Sequence, residues 1–249
     1  MRFVVLALVV TLGVALADKD AAADPSACPK MLSGEGPVDA CVRSLEGRAI
    51  ERYRMKQFDL VVETCAQAIQ LSPERDFCYL LRGGARLEIG DPDGAIEDYD
   101  RVITLKPTDD LAYFNRGQAY STKRAPDRAI PDYDRAIELN PQVANYYYNR
   151  GRAYDAQGEV ARALQDSDQA ILLAPNEAQF RFRRGLVYLN SGDPQRAIQD
   201  YDQAIALKPD FARAYLCRSE AYRALGDEAQ AKQDRDQAIK LDPSLGEPS

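Results

Sequence analysis

Apolar and small side chains recur along most of this chain in two alternating helical patterns, each about 14 residues long. The first carries Tyr, Phe and a small residue; the second carries Ala and Ile at helical spacing. Between them stands a turn, written Gly90-Asp91, Gly158-Glu159, Gly192-Asp193 and Gly226-Asp227. After the second pattern comes a proline, at 73, 107, 141, 175, 209 and 243, each 34 residues after the last. Counting back from these prolines divides the chain into six frames: 42–75, 76–109, 110–143, 144–177, 178–211 and 212–245. A ruler of this length means a stack of small units, each too small to bury a core alone. Each frame predicts one helix over positions 1–14 and another over 17–30. Asp91-Pro92 and Asp193-Pro194 read as N-caps followed by proline in the first turn. The recurrent proline stops the second helix because the residue before it is pushed out of the helical region.

The frames share more than prolines. Position 8 is Gly83, Gly117, Gly151 and Gly185, then Ser219; position 11 is Tyr120, Tyr154, Tyr188 and Tyr222. Position 20 is Ala95, Ala129, Ala163, Ala197 and Ala231. The phrase Tyr113-x-x-Arg116-Gly117-x-x-Tyr120, followed by Ala129, Tyr133 and Pro141, resembles the tetratricopeptide repeat, with Tyr79, Tyr113, Tyr147 and Tyr215 at the family's Trp position. The resemblance covers 42–245. It implies an all-α fold, an α-solenoid of six helix-turn-helix repeats in a right-handed superhelix, whose first helices line a concave groove.

Two departures carry charge. The family's Leu is Arg in every frame: Arg48, Arg82, Arg116, Arg150, Arg184 and Arg218. Position 23 is Asp98, Asp132, Asp166, Asp200 and Asp234, and position 25 is Asp100, Asp134, Asp168, Asp202 and Asp236. Repeated cations beside repeated anions predict an Arg–Asp ladder, since half-buried charges need partners. Frame 1 is atypical, with Ala49, Arg52, Val61 and Cys65 at motif positions. Frame 6 has Arg235 where Tyr99, Tyr133 and Tyr201 stand in other frames, so it reads as a polar end followed by a short tail, 246–249. Pro131, inside the second helix of frame 3, predicts a local kink.

The N-terminus reads as a processing signal: Arg2, an apolar run from Phe3 to Leu16, and Ala15-Leu16-Ala17 before Asp18. The expectation is a signal peptide over 1–17, cleaved after Ala17, and an exported chain, periplasmic or secreted, without stable membrane insertion. Cleavage removes one positive charge and takes the net charge from −7 to −8. In an oxidising compartment the cysteines read as disulfides. Cys28–Cys41, tying down the segment 18–41, and Cys65–Cys78, stapling frame 1 to frame 2, each close a 13-residue interval. Cys217 is left as a partly buried thiol.

The chain has no His and no Gly-rich phosphate loop, and its carboxylates repeat instead of converging. No catalytic residue, metal site or cofactor is expected. The acidic balance speaks against nucleic acid as a partner. Carrying over the groove positions of the resemblance leaves a stripe for a peptide or protein partner: Phe77, Leu80, Leu111, Phe114, Gln118, Asn145, Tyr148, Arg152, Gln179, Phe182 and Arg213. It is apolar toward frames 2 and 3 and rich in amide and basic groups beyond. In the competing reading, Phe114, Tyr148 and Phe182 pack between repeats. The expected function is a non-enzymatic adaptor in an envelope assembly. The alternative is a self-associating spacer, a homo-oligomer.

Overall fold

The computed structural model describes residues 38–246. Among these residues every regular element is helical, twelve α-helices and one short terminal 3-10 turn. They form two compact units that divide between Leu139 and Asn140. The first contains α1 (Val38–Arg54), α2 (Phe58–Leu71), α3 (Asp76–Glu88), α4 (Pro92–Leu105), α5 (Asp110–Thr122) and α6 (Pro126–Leu139). The second contains α7 (Ala144–Ala156), α8 (Val160–Leu173), α9 (Ala178–Asn190), α10 (Pro194–Leu207), α11 (Ala212–Ala224) and α12 (Glu228–Leu241). Each unit is a run of three helical hairpins, and each hairpin occupies one 34-residue frame. The signal segment and Cys28 lie outside the described residues.

The helix boundaries follow from local chemistry. Asp91, Asp109, Asp193 and Asp227 cap their helices by accepting from the backbone N–H three residues on. The residues before the recurrent prolines are extended, Ser72 at φ −143°, Lys106 at −142° and Lys208 at −138°, so each second helix ends there. The hairpin turn needs a left-handed residue at position 15. Gly90, Gly158, Gly192 and Gly226 supply it, but Lys56 and Arg124 adopt φ 58° at the same position, at about 1 kcal/mol each. Pro131 sits inside α6, which keeps the 14-residue length of its counterparts. Its missing donor leaves only the carbonyl of Asp127, an exposed first-turn residue, without a helix partner.

Close packing within a hairpin depends on one pair of positions. A methyl group on Gly83, Gly117 or Gly185 would lie 2.7 Å from a ring carbon of Tyr99, Tyr133 or Tyr201 respectively. Those tyrosines, at position 24, are fully buried. Where position 24 is Ser167, the corresponding Gly151 has looser surroundings, with 3.1 Å to the nearest side-chain atom. Where it is Arg235, position 8 is Ser219; where it is Cys65, position 8 is Ala49. The two positions exchange volume within each repeat. The hydroxyl of Tyr133 meets that of Ser121 at 2.9 Å, whereas those of Tyr99 and Tyr201 are buried without a partner.

The core of repeats 1 and 2 contains Val42, Leu45, Val61, Cys65, Cys78 and Leu81. Cys65 and Cys78 are free thiols in this structure, not the expected disulfide. Both are fully buried. The neighbouring Cys78 thiol, across the boundary between the two repeats, and burial raise the Cys65 thiol well above its ordinary range, while Cys78 Sγ donates to Glu46 Oε1 at 3.9 Å. Cys217 is a free, partly buried thiol, pushed up to about 11 by burial.

Candidate functional site

The charged ladder forms as its spacing requires. The position-7 arginines make forked contacts with the position-23 aspartate of their own repeat. Arg116 Nη2 donates to Asp132 Oδ1 at 2.6 Å and Nε to Oδ2 at 2.9 Å. Arg82–Asp98, Arg150–Asp166, Arg184–Asp200 and Arg218–Asp234 repeat the arrangement. The remaining nitrogen reaches back to position 25 of the preceding repeat: Arg116 Nη1 to Asp100 at 2.5 Å, Arg184 to Asp168 at 2.6 Å and Arg218 to Asp202 at 2.5 Å. Hydrogen bonds donated to Asp132 and Asp200 hold the Arg116 and Arg184 guanidiniums above their ordinary range.

Aromatic faces complete the seat. Arg150 lies 5.6 Å from the ring centre of Tyr147 and 5.8 Å from that of Tyr154; Arg218 lies between Tyr215 and Tyr222 in the same way. The position-4 tyrosine also donates to the recurrent proline carbonyl, as Tyr79 does to Pro73 and Tyr147 to Pro141. In frame 5, Arg181 does this job on Pro175. Apart from the terminal Arg48 and Asp236, the Arg and Asp replacements are therefore built into the scaffold, with their polar atoms spent on one another.

The predicted stripe divides between packing and accessible positions. Phe114 and Phe182 are buried, 0% and 3% exposed, and are corrected from groove residues to packing residues. Phe114 stacks on Tyr133, with ring centres 5.9 Å apart. Phe182 stacks on Tyr201 at 5.8 Å and on Phe211 at 4.8 Å. The cause is the tyrosine at position 24, which gives position 5 an aromatic wall to lie against.

Frame 4 lacks that wall because position 24 is Ser167. Its position-5 residue, Tyr148, stays half-buried. Tyr148 stacks edge-tilted on Phe180 at 5.1 Å. Gln179 Nε2 donates to its hydroxyl at 3.3 Å, and the Arg152 guanidinium lies 5.9 Å from its ring. Asn145, one turn before Tyr148 on α7, is half-buried, and Arg213 on α11 is exposed. Beside this cluster Arg183 donates to Asp155 at 2.5 Å. In the first unit Phe77, Leu80, Leu111 and Gln118 are half-buried. Phe77 and Leu80 lean on the cores beneath them. Sequence reasoning missed Phe180 and Asp155. The available signal was position 3, which swings from Ala112 and Ala214 to Tyr146 and Phe180.

Among the described residues no three His, Cys, Asp or Glu side chains gather as a metal site, and no helix is long and apolar enough to cross a membrane.

Hairpins of this period, locked by a ladder of paired charges, define a helical-repeat protein. Family models described as tetratricopeptide repeat match residues 111–143, 132–165, 151–221 and 212–245, and one described as TPR repeat matches 83–123. The chain belongs to the tetratricopeptide repeat family. Among solved structures it is similar to a MamA protein, at 28% identity and TM-score 0.61 over 69% of this chain and 93% of that one. It shares the fold of PilW, described as a type IV pilus biogenesis factor, at 16% identity and TM-score 0.75 over 81% of this chain and 94% of that one. It also shares the fold of YrrB, described as having an unusual peptide-binding site, at 21% identity and TM-score 0.59 over 74% and 96%. No curated protein matches the sequence at a significant level.

Proposed function

We propose that this chain is a non-enzymatic adaptor that binds a peptide or a segment of a partner protein on the first helices of its repeats, in the periplasm or outside the cell. The observation that carries this reading is the accessible cluster of Tyr148, Arg152 and Gln179, with Asn145 and Arg213 on the first helices of the same unit. It offers one aromatic surface and several outward donors, which suits an extended backbone and its carbonyl or carboxylate groups. Its fold-mate YrrB is described as peptide-binding, which supports the class of ligand. The inner rungs of the ladder hold their carboxylates in pairs with arginines, which supports a binding role over a catalytic one.

The test compares partner recovery from an envelope extract by wild type and by Tyr148→Ala, followed by titration with the recovered partner. The aromatic anchor is expected to contribute about 2 kcal/mol, a loss of roughly thirtyfold in affinity. Equal affinity would remove Tyr148 from the binding surface. Phe114→Ala is a poor probe, because it would damage packing first.

Export carries a second expectation. Exposed to an oxidising disulfide, the adjacent thiols of Cys65 and Cys78 would lose two protons and two electrons to form the bridge, while the oxidant is reduced to a dithiol. Closing that 13-residue interval is expected to stabilise the first two repeats by about 3 kcal/mol. A reducing agent should then lower the melting temperature of the exported protein by more than it lowers that of Cys65→Ser, in which the Cys28–Cys41 pair is the remaining expected bridge. Equal shifts on reduction in wild type and Cys65→Ser would argue against the bridge.

A further inference from the structure

The ladder has an unfilled rung at each end. Inside each unit, position 25 of one repeat supplies a carboxylate to position 7 of the next, as Asp100 does for Arg116 and Asp202 for Arg218. Asp236 holds position 25 in the last repeat. It is exposed on α12, and no described residue pairs with it. Arg48 holds position 7 in the first repeat. Its own-repeat acid is replaced by Thr64, which accepts from Arg52 and donates to the Leu60 carbonyl. Arg48 makes no hydrogen bond or ion pair with a described residue: its shielded Nη2, which elsewhere takes the own-repeat carboxylate, is orphaned because Thr64 stands there, and its Nη1, the nitrogen that elsewhere reaches back to position 25, has no carboxylate before it. Asp236 and Arg48 thus hold, without partners, the two positions, 25 and 7, that make an inter-repeat rung elsewhere.

We propose that copies of this chain associate head to tail, with Asp236 of one copy pairing with Arg48 of the next. The occupant of each end is a second copy because the missing group at one end is the surplus group at the other, at the same register and with the opposite charge. The contact joins unlike surfaces and does not close on itself, so it yields a growing series of sizes in place of a fixed dimer. It lacks the tyrosine that seals inner repeats, since position 24 of the last repeat is the exposed Arg235. Association is therefore weak and governed by charge, and salt opposes it. The proposal is independent of the Tyr148 surface.

Sedimentation velocity of the full chain, run over a wide concentration range at low and high salt, tests it. Weight-average mass is expected to rise with concentration at low salt and to fall back at high salt. Arg48→Glu and Asp236→Arg should each lose this association, with helical content checked by circular dichroism. Mixing the two variants should restore it, because the carboxylate introduced in one would meet the guanidinium introduced in the other. A wild type that stays monomeric at every concentration in low salt overturns the proposal. So does association unchanged in the exposed-site variant Asp236→Arg, or a mixture that fails to recover.

Discussion

Replacing Arg116 by Leu is expected to destabilise the first unit by about 3–5 kcal/mol, the cost of leaving a buried charge without its partner. Asp132, whose side chain is 7% exposed, would lose both of its forked bonds, and Asp100 would lose the contact that ties repeat 2 to repeat 3. The double variant Arg116→Leu/Asp132→Leu should recover most of the loss, since removing both partners removes the desolvation problem. Denaturant titration of the single and double variants gives the comparison. Arg48→Leu is the internal control: no acid faces it, and it should cost under about 1 kcal/mol. A single variant with unchanged stability but lost partner binding would move the ladder from scaffold to ligand site.

Gly117→Ala is expected to cost about 2 kcal/mol by overpacking, because its new methyl would stand 2.7 Å from the Tyr133 ring. Gly151→Ala should be close to neutral. Its nearest neighbours lie at 3.1 and 3.3 Å, and the helix preference for Ala over Gly, about 0.5–1 kcal/mol, offsets the crowding. The same substitution at equivalent positions thus separates by the identity of position 24. Adding Tyr133→Ser to Gly117→Ala should make the pair non-additive, relieving part of the clash. Equal thermal shifts for the two glycine variants would show that the tyrosine ring moves aside freely.

The two charged contacts of Arg116, Arg184 and Arg218 were legible because both span 16 residues, one forward within the repeat and one back to the repeat before. Periodicity alone puts those groups in register. The helix limits were legible for the same local reasons: caps, left-handed turns and pre-proline geometry. The accessible surface was not. Position 5 carries an aromatic in three consecutive frames, and only its packing partner decides its fate. Phe114 and Phe182 are covered through Tyr133 and Tyr201, while Tyr148 is spared by Ser167. That information lies 19 residues downstream in the second helix, outside any single-helix pattern. Whether Cys65 and Cys78 stand as thiols or as a bridge was not legible either, because a shared buried site and a covalent bond call for the same spacing.

The ladder also bears on how such a chain can change length. Every rung links equivalent positions, so excising one whole period within the second unit, residues 178–211, would set Arg218 against Asp168 in place of Asp202. The newly adjacent repeats would offer each other a matching cation and anion. Cuts of any other size would strand a guanidinium or a carboxylate in a half-buried seat. Gene duplication and loss can therefore edit this array in steps of one period with little electrostatic penalty.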